Sequence, residues 1–370
     1  VFLQFQWDHL LLEAGLLALF LPSRESGRFN VAPLPRLLLQ LLLFRLMFGS
    51  GLVKLLSGDP EWSGLTALRH HYLTQPLPSL PAFYLYKLPP WFHTLSAATM
   101  FGIELVLPFF FFGPRALRHL AATATVALQL AIFCSGNYAF FNLLTIGLAL
   151  ILYDDRFFAE RLPTIHQHLK TRVAETPRAA TPTHALAPLG LLLFLASLQL
   201  LQLVSNAPLP RPLLQLSSSF APLRLVNSYG LFAVMTTARD EIEIETSSDF
   251  KRWTPIRYRF KPQDLGAPPT QIAPYHPRLD WQLWFAALGS VKEHQWFLRL
   301  LELILQESPE IAGLLEPTEL QQSPPKFIRA LRYRYRFSSM SEQAIDRSWW
   351  KRELVGVYCP PLRLDARGGV

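Results

Sequence analysis

The chain is poor in cysteine, in charge and in recognisable catalytic motifs, and each shortage removes a class of protein. Two cysteines in 370 residues, Cys134 and Cys359, cannot build a disulfide framework or a cysteine metal cage. One disulfide between them is the most they could form, and nothing in the sequence shows them to be close. None of Asn30, Asn137, Asn142, Asn206 and Asn227 begins an Asn-x-Ser/Thr sequon, which with the scarce cysteine leans towards a bacterial source. No GxSxG, HExxH, Walker or GxGxxG pattern stands in the right context, so no catalytic, metal-ligating or cofactor-binding residue is assigned and no cofactor is expected. Charged residues make up only 17% of the chain. Much of the +8 formal charge sits in short loops between apolar stretches, unlike a nucleic-acid footprint, so no nucleic-acid partner is expected. The chain begins at Val1, inside an apolar stretch and without a secretory signal peptide; an upstream span is expected to precede it.

What the chain has is clustered apolar sequence. Half of the residues are hydrophobic, and they gather at 2–21, 34–56, 91–112, 117–135, 138–153 and 184–205. At ~20 residues per span these are about six candidate membrane helices, and membrane lipids are a necessary partner. Gln4, Gln6, Asp8, His9 and Glu13 interrupt the first; the fifth is short enough to pair with the fourth as a hairpin. With the 22–33 loop taken as cytoplasmic, Arg24, Arg28, Arg36, Arg115, Arg118, Arg156, Arg161, Lys170, Arg172 and Arg178 all fall inside, against Arg69 and Lys87 outside. That bias places the tail outside, in a periplasm or an endoplasmic reticulum lumen. The expected organisation is a multispanning domain at 1–205 with a cytoplasmic linker at 154–183, a Pro- and Ser-rich junction at 206–222, and an extramembrane domain at 223–370. The fold class is a membrane α-helical bundle followed by an extramembrane α+β, β-rich domain, an antiparallel sheet with a helical pair.

The tail alternates in three places. In Glu241–Glu245, Ile242 and Ile244 face a core and the glutamates form an outer face. Ile256, Tyr258 and Phe260 alternate with Arg257, Arg259 and Lys261; Leu331, Tyr333, Tyr335 and Phe337 alternate with Arg332, Arg334 and Arg336. Opposite charges across strands are favourable, so the acidic strand should pair with at least one basic strand, with 241–245 against 256–261 expected first. A calcium cage is not expected from acids that line one sheet face. Two helices are expected at about 280–289 and 294–306. In the first, Asp280 can cap, or pair with Arg278, while Trp281, Trp284, Phe285 and Leu288 share a face; in the second, Phe297, Leu300, Leu301 and Ile304 point inward.

Several blocks resemble the lipase maturation factors, in the order of that family. They are Phe5–Glu13; Phe44-Arg45, Gly49, Lys54 and Asp59–Trp62 running into Arg69-His-His-Tyr72 and Gln75–Pro78; Trp91–His93 through Met100-Phe101 to Ile103–Leu105. In the tail they are Asn227–Gly230, Met235-Thr236, Arg239, Trp253, Pro274–Leu288, Trp349-Trp350, Tyr358 and Pro360-Pro361. The resemblance implies a multispanning membrane protein of the endoplasmic reticulum that helps secreted lipases, or other exported clients, reach their active fold. The scarce cysteine and absent sequons depart from the eukaryotic pattern.

Two constellations stand out. Arg45, Lys54 and Glu104 lie inside apolar stretches, where ionisable groups face a partner or a cavity; an Arg45–Glu104 pair is expected. Such groups can be a structural pair or line a cavity for a ligand or lipid headgroup. His70, His71 and His93 fall on the outer side, as general acid–base candidates or as interfacial residues packed beside Trp62, Tyr72 and Trp91. Trp349 and Trp350 should split, one ring in the core and one near membrane or partner, and exposed aromatics beside arginine suit client contact. Gly49-Ser50-Gly51 reads as a place where helices approach closely. Three functions are therefore carried: a folding factor, a membrane enzyme or small-molecule or lipid-binding protein using these charges, and a structural scaffold.

Overall fold

The computed structural model describes residues 5–25, 28–174, 186–205, 210–224, 227–315 and 324–365. Residues 175–183 of the expected 154–183 linker and the start of the 206–222 junction lie outside the described residues. The chain divides into two compact units: Val1–Ala67, Trp91–Ile132 and Phe140–Met235 form one, and Leu68–Pro90, Phe133–Ala139 and Thr236–Val370 form the other.

The first unit is helical. Pro33–Leu56, Pro90–Phe112 and Arg115–Ser135 are long and apolar enough to cross a membrane. The first of these begins with Pro33 and Pro35, placed where missing N–H groups cost nothing. The expected fifth and sixth stretches appear as Phe141–Leu150 and, in the apolar part of Leu186–Ser205, Ala187–Gln202, both shorter. The interrupted first stretch makes a 13-residue helix, Gln6–Ala18. Strands β1 (Pro22–Glu25) and β2 (Arg28–Val31) form a small antiparallel hairpin before Pro33. The Pro90–Phe112 segment changes character along its length, from α-helix to a π turn at Gly102–Val106 and a 3-10 turn at Leu107–Phe112. Pro108 removes one intrahelical donor there, which helps to end the regular α-helical pattern. A Cβ on Gly51 would lie 2.8 Å from Leu105 Cδ2 and 3.0 Å from Glu104 Cβ, so the glycine lets Pro33–Leu56 approach that turn without displacing the Leu105 side chain.

The second unit is built on an antiparallel sheet in the order β4 (Thr254–Pro255), β3 (Arg239–Ser247), β5 (Phe327–Phe337), β6 (Trp350–Leu362). The expected pairing of 241–245 with 256–261 survives only in part. β3 meets β4 at Glu245–Pro255 and Thr246–Thr254, and Ile256 N donates to Ile244 O; its long partner is β5. Cross-strand charge selects that partner: Asp240 lies opposite Arg334 and Glu245 opposite Arg329, and both pairs are bonded.

One sheet face carries Ile242, Ile244, Ile328 and Ala330 against the helices Arg278–Ala287 and Gln295–Leu305. The second helix buries Phe297, Leu300, Leu301 and Ile304, as its periodicity requires. The other face holds Tyr335, Phe337 and Trp350 beside Leu73 and Phe83, so residues 68–90 belong to this core although they lie between apolar stretches in the sequence.

Candidate functional site

The ionisable groups of the first unit pair differently from expectation. Arg45 Nη2 donates to Glu13 Oε1 at 2.7 Å, not to Glu104, and also to Asn227 O at 3.0 Å. Glu13 Oε2 accepts from Tyr229 Oη at 2.8 Å and from Asn227 N and Nδ2, both at 3.2 Å. Lys54 Nζ reaches both oxygens of Glu104, at 3.1 and 2.8 Å, and stands 5.4 Å over the Trp62 ring. Arg45 and Lys54 therefore each have their own counter-ion. The helix positions dictate this: Arg45 and Lys54 are nine residues apart on Pro33–Leu56, two and a half turns, and so face different neighbours. His93 is buried in the same unit; His70 and His71 belong to the second.

In the second unit several polar and aromatic side chains converge on the buried segment Leu73–Ser79. Arg239 Nη1 donates to Leu73 O at 2.9 Å and Gln75 O at 2.5 Å, and Nη2 to Pro76 O at 3.0 Å. Trp284 Nε1 donates to Thr74 O at 2.9 Å. Asn137 Nδ2 donates to Leu77 O and Thr270 O, while its Oδ1 accepts from Ile272 N and Ala273 N. The Tyr138 hydroxyl bonds His71 Nε2 and Gln75 Oε1, both at 2.9 Å, and Trp281 meets the Tyr138 ring edge-on. Trp281 and Trp284 are thus buried against segments outside their own helix. Phe285 and Leu288, expected beside them, are exposed; Leu283, Ala286 and Ala287 fill the opposite, sheet-facing side instead. A helix covered on two sides does not show the single apolar face of a surface helix.

Asp280 does not cap its own helix, whose N-cap is Pro277. It sits in the first turn, and its Oδ1 accepts from Lys261 N at 2.9 Å and Phe260 N at 3.2 Å. Burial raises its pKa above the ordinary carboxyl value, outweighing those donors and the Lys261 charge. A carboxyl raised on folding binds more protons folded than unfolded. Its contribution is therefore complete below the unfolded pKa and lost as pH rises through the folded one. Asp280→Ala is expected to cost about 1–3 kcal/mol by orphaning two N–H groups. Asp280→Asn keeps an acceptor without a titrating charge, so it should match wild type below the ordinary carboxyl range and lose less stability than wild type as pH rises above it. Urea unfolding across pH checks this, and equal loss in both variants would refute it. Arg278 is half-buried at the first position of the same helix.

The glutamates of β3 do not form an outer face. Glu241 and Glu243 are buried: Glu241 pairs with Arg239 and with Lys261, and Glu243 accepts from the Tyr335 hydroxyl and from Arg352. Burial chiefly, and then Glu243, push the Tyr335 phenol well up, so it stays a donor. Trp350 is buried between Tyr335 and Phe337, and half-buried Trp349 packs edge-on to Phe83. Cys134 and Cys359 are both free; burial raises the Cys359 thiol pKa, which disfavours its reactive thiolate. No group of three or more His, Cys, Asp or Glu suited to a metal occurs among the described residues.

Sequence reasoning missed Asn137, Tyr138 and Lys261 as organising residues. The available signal was polar character in or beside apolar sequence at Asn137, and a third cation following Arg257 and Arg259.

Two family models match the chain: the lipase maturation factor transmembrane domain over residues 1–160, and the lipase maturation factor C-terminal domain over 225–360. Lipase maturation factor 1 of Mus musculus is 35% identical over 387 residues, covering 99% of this chain and 67% of that protein. Lipase maturation factor 2 of Homo sapiens is 33% identical over 476 residues, covering 98% and 67%. Lipase maturation factor 1 of Bos taurus is 34% identical over 400 residues, covering 100% and 69%. No solved structure matches.

Proposed function

Because the chain belongs to the lipase maturation factor family, we propose that it is a membrane-anchored factor that assists the folding or assembly of secreted lipases or other exported proteins. The C-terminal domain at 223–370 then faces the lumen of the endoplasmic reticulum or a periplasm, as the positive charge of the opposite loops supports. The observation that carries the reading is the free edge of the sheet. β6 is the last strand in the order, so one side of its backbone has no strand partner among the described residues. Along its centre Leu354, Val355 and Val357 are 59%, 50% and 65% exposed. Edge strands of stable proteins are usually shielded or charged, because an apolar edge pairs with other extended chains. Here the apolar stretch is left open, and Pro360 and Pro361 close it by removing two donors. An incompletely folded client strand fits that edge by main-chain hydrogen bonding and needs no fixed client sequence.

The alternative, a membrane enzyme or ligand site joining Arg45, Lys54, Glu104, His70, His71 and His93, is not favoured, since the charges are neutralised in separate pairs. Of the tryptophans we assign Trp281, Trp284 and Trp350 to the support of the domain and Trp349 to its margin. Co-expression with a secreted lipase tests the proposal. Val357→Lys, at a position already exposed, is expected to lower active secreted lipase at least about fivefold while thermal unfolding of the factor stays within about 2 °C, as for a surface change. Unchanged lipase activity with Val357→Lys and with Leu354→Lys would overturn the strand-edge role.

A further inference from the structure

The second unit contains a cavity of about 480 Å³ beside β4, bounded by the loop from Pro255 to Thr270 and by Trp350 and Arg352 of β6. That size lies within the range of sites for small organic ligands. Its polar groups divide into those already engaged and those left open. Glu243 accepts from Tyr335 and Arg352. Asp264 Oδ1 accepts from Gly266 N at 2.9 Å. Gln263 is used at both ends, accepting from Tyr258 N and donating to Ile256 O. Lys261 is held by Glu241 and Ile242 O.

Asp264 Oδ2 is left open, and the other groups without partners among the described residues are donors. Arg257 and Arg259 line the cavity, are exposed, and have no ion-pair or hydrogen-bond partner among the described residues. Tyr258, between them, is 4% exposed, and its hydroxyl has no hydrogen-bond partner among the described residues. Burial raises the Tyr258 pKa well above its ordinary value, so the hydroxyl keeps its proton and is available as a donor. A buried hydroxyl without a partner is costly, and two guanidiniums without counter-ions line the same cavity. An acceptor-rich anion relieves both.

We propose that this cavity is a binding site for an oxyanion-bearing organic ligand, a carboxylate or a phosphate, held by Arg257 and Arg259 and accepting a hydrogen bond from the Tyr258 hydroxyl. Guanidiniums bind either group through paired N–H donors. Half-buried Phe260 in the lining supplies an apolar contact for the ligand's body. The site is separate from the β6 edge: its ligand-binding residues lie in the 257–259 loop, and its binding does not depend on client pairing.

The test uses the full chain in detergent, titrated by calorimetry at low salt with inorganic phosphate, glycerol 3-phosphate, succinate and a tetraglutamate peptide. Saturable binding of at least one probe is expected, weakened at least tenfold by Arg257→Ala/Arg259→Ala and about threefold or more by Tyr258→Phe, which keeps the ring in the core. A preference for the phosphates identifies a phosphate ligand, and a preference for succinate or the peptide a carboxylate. Lys292→Ala, at an exposed cation outside the cavity, should leave binding unchanged. Absence of saturable binding by all four probes, or binding insensitive to both the double variant and Tyr258→Phe, overturns the assignment.

Discussion

Replacing Arg239 with alanine is expected to destabilise the second unit by about 3–5 kcal/mol, the range for breaking a buried charge pair from one side. Arg239 is almost wholly buried, stands 5.5 Å over the Trp350 ring, and pairs with Glu241. Its guanidinium also donates to the carbonyls of Leu73, Gln75 and Pro76. Truncation leaves Glu241 with Lys261 alone and removes a donor from each carbonyl along a buried, partly irregular segment, where water cannot substitute readily. Lysine restores the charge but not the planar fork that spans three acceptors, so Arg239→Lys should recover only part of the loss. For a unit of this size the alanine change corresponds to a fall in Tm of roughly 6–20 °C. Hydrogen exchange localises the effect: amides of residues 73–79 should lose protection first. A fall below about 2 °C with protection at 73–79 unchanged would refute the clamp.

The second large effect is expected in the first unit. Glu13→Ala removes the carboxylate that answers Arg45 and also accepts from Tyr229 and Asn227. An unanswered buried guanidinium among apolar helices should cost about 3–5 kcal/mol. The pair's own contribution is smaller than the cost of breaking it, because burying both ions already offsets most of their attraction. Glu13→Leu/Arg45→Leu is therefore expected to be distinctly more stable than Glu13→Ala, with a coupling energy above about 1.5 kcal/mol between the two positions. Thermal unfolding of the detergent-solubilised chain for the two single leucine variants and the double variant measures it. Coupling near zero would show that Arg45 is answered elsewhere. Glu104→Ala, paired with Arg45→Leu in a second cycle, should show no coupling, because Lys54 is the partner of Glu104.

Legibility in the sequence followed the range of the interaction. The Gln295–Leu305 helix was readable because Phe297, Leu300, Leu301 and Ile304 repeat at the helical period and one core receives them all. Ile242 and Ile244 were readable in the same way. The reading failed at Phe285 and Leu288, where a helix covered on two sides blurs the pattern, and at Glu241 and Glu243, which alternation alone placed in solvent. Alternation reports which residues share a side of a strand; it does not report what covers that side. Arg239, Lys261 and Arg352 bring the compensating charge, and their arrival depends on the loop and on β6.

By itself the sequence determined the class of the protein: apolar stretches of membrane length, a strand-rich tail, no recognisable catalytic motif, and ordered blocks that mark its family. These are properties of neighbouring residues, where hydrophobic burial and backbone geometry act over a few turns or one strand. The tertiary structure decided the partners. It gave Arg45 to Glu13 and Lys54 to Glu104, joined residues 68–90 and 133–139 to the second unit, left β6 open, and grouped Arg257, Tyr258 and Arg259 around one cavity. Ion pairs and buried hydrogen bonds are set by distances of about 3 Å between residues far apart in the chain, and only the packing of the elements fixes those distances.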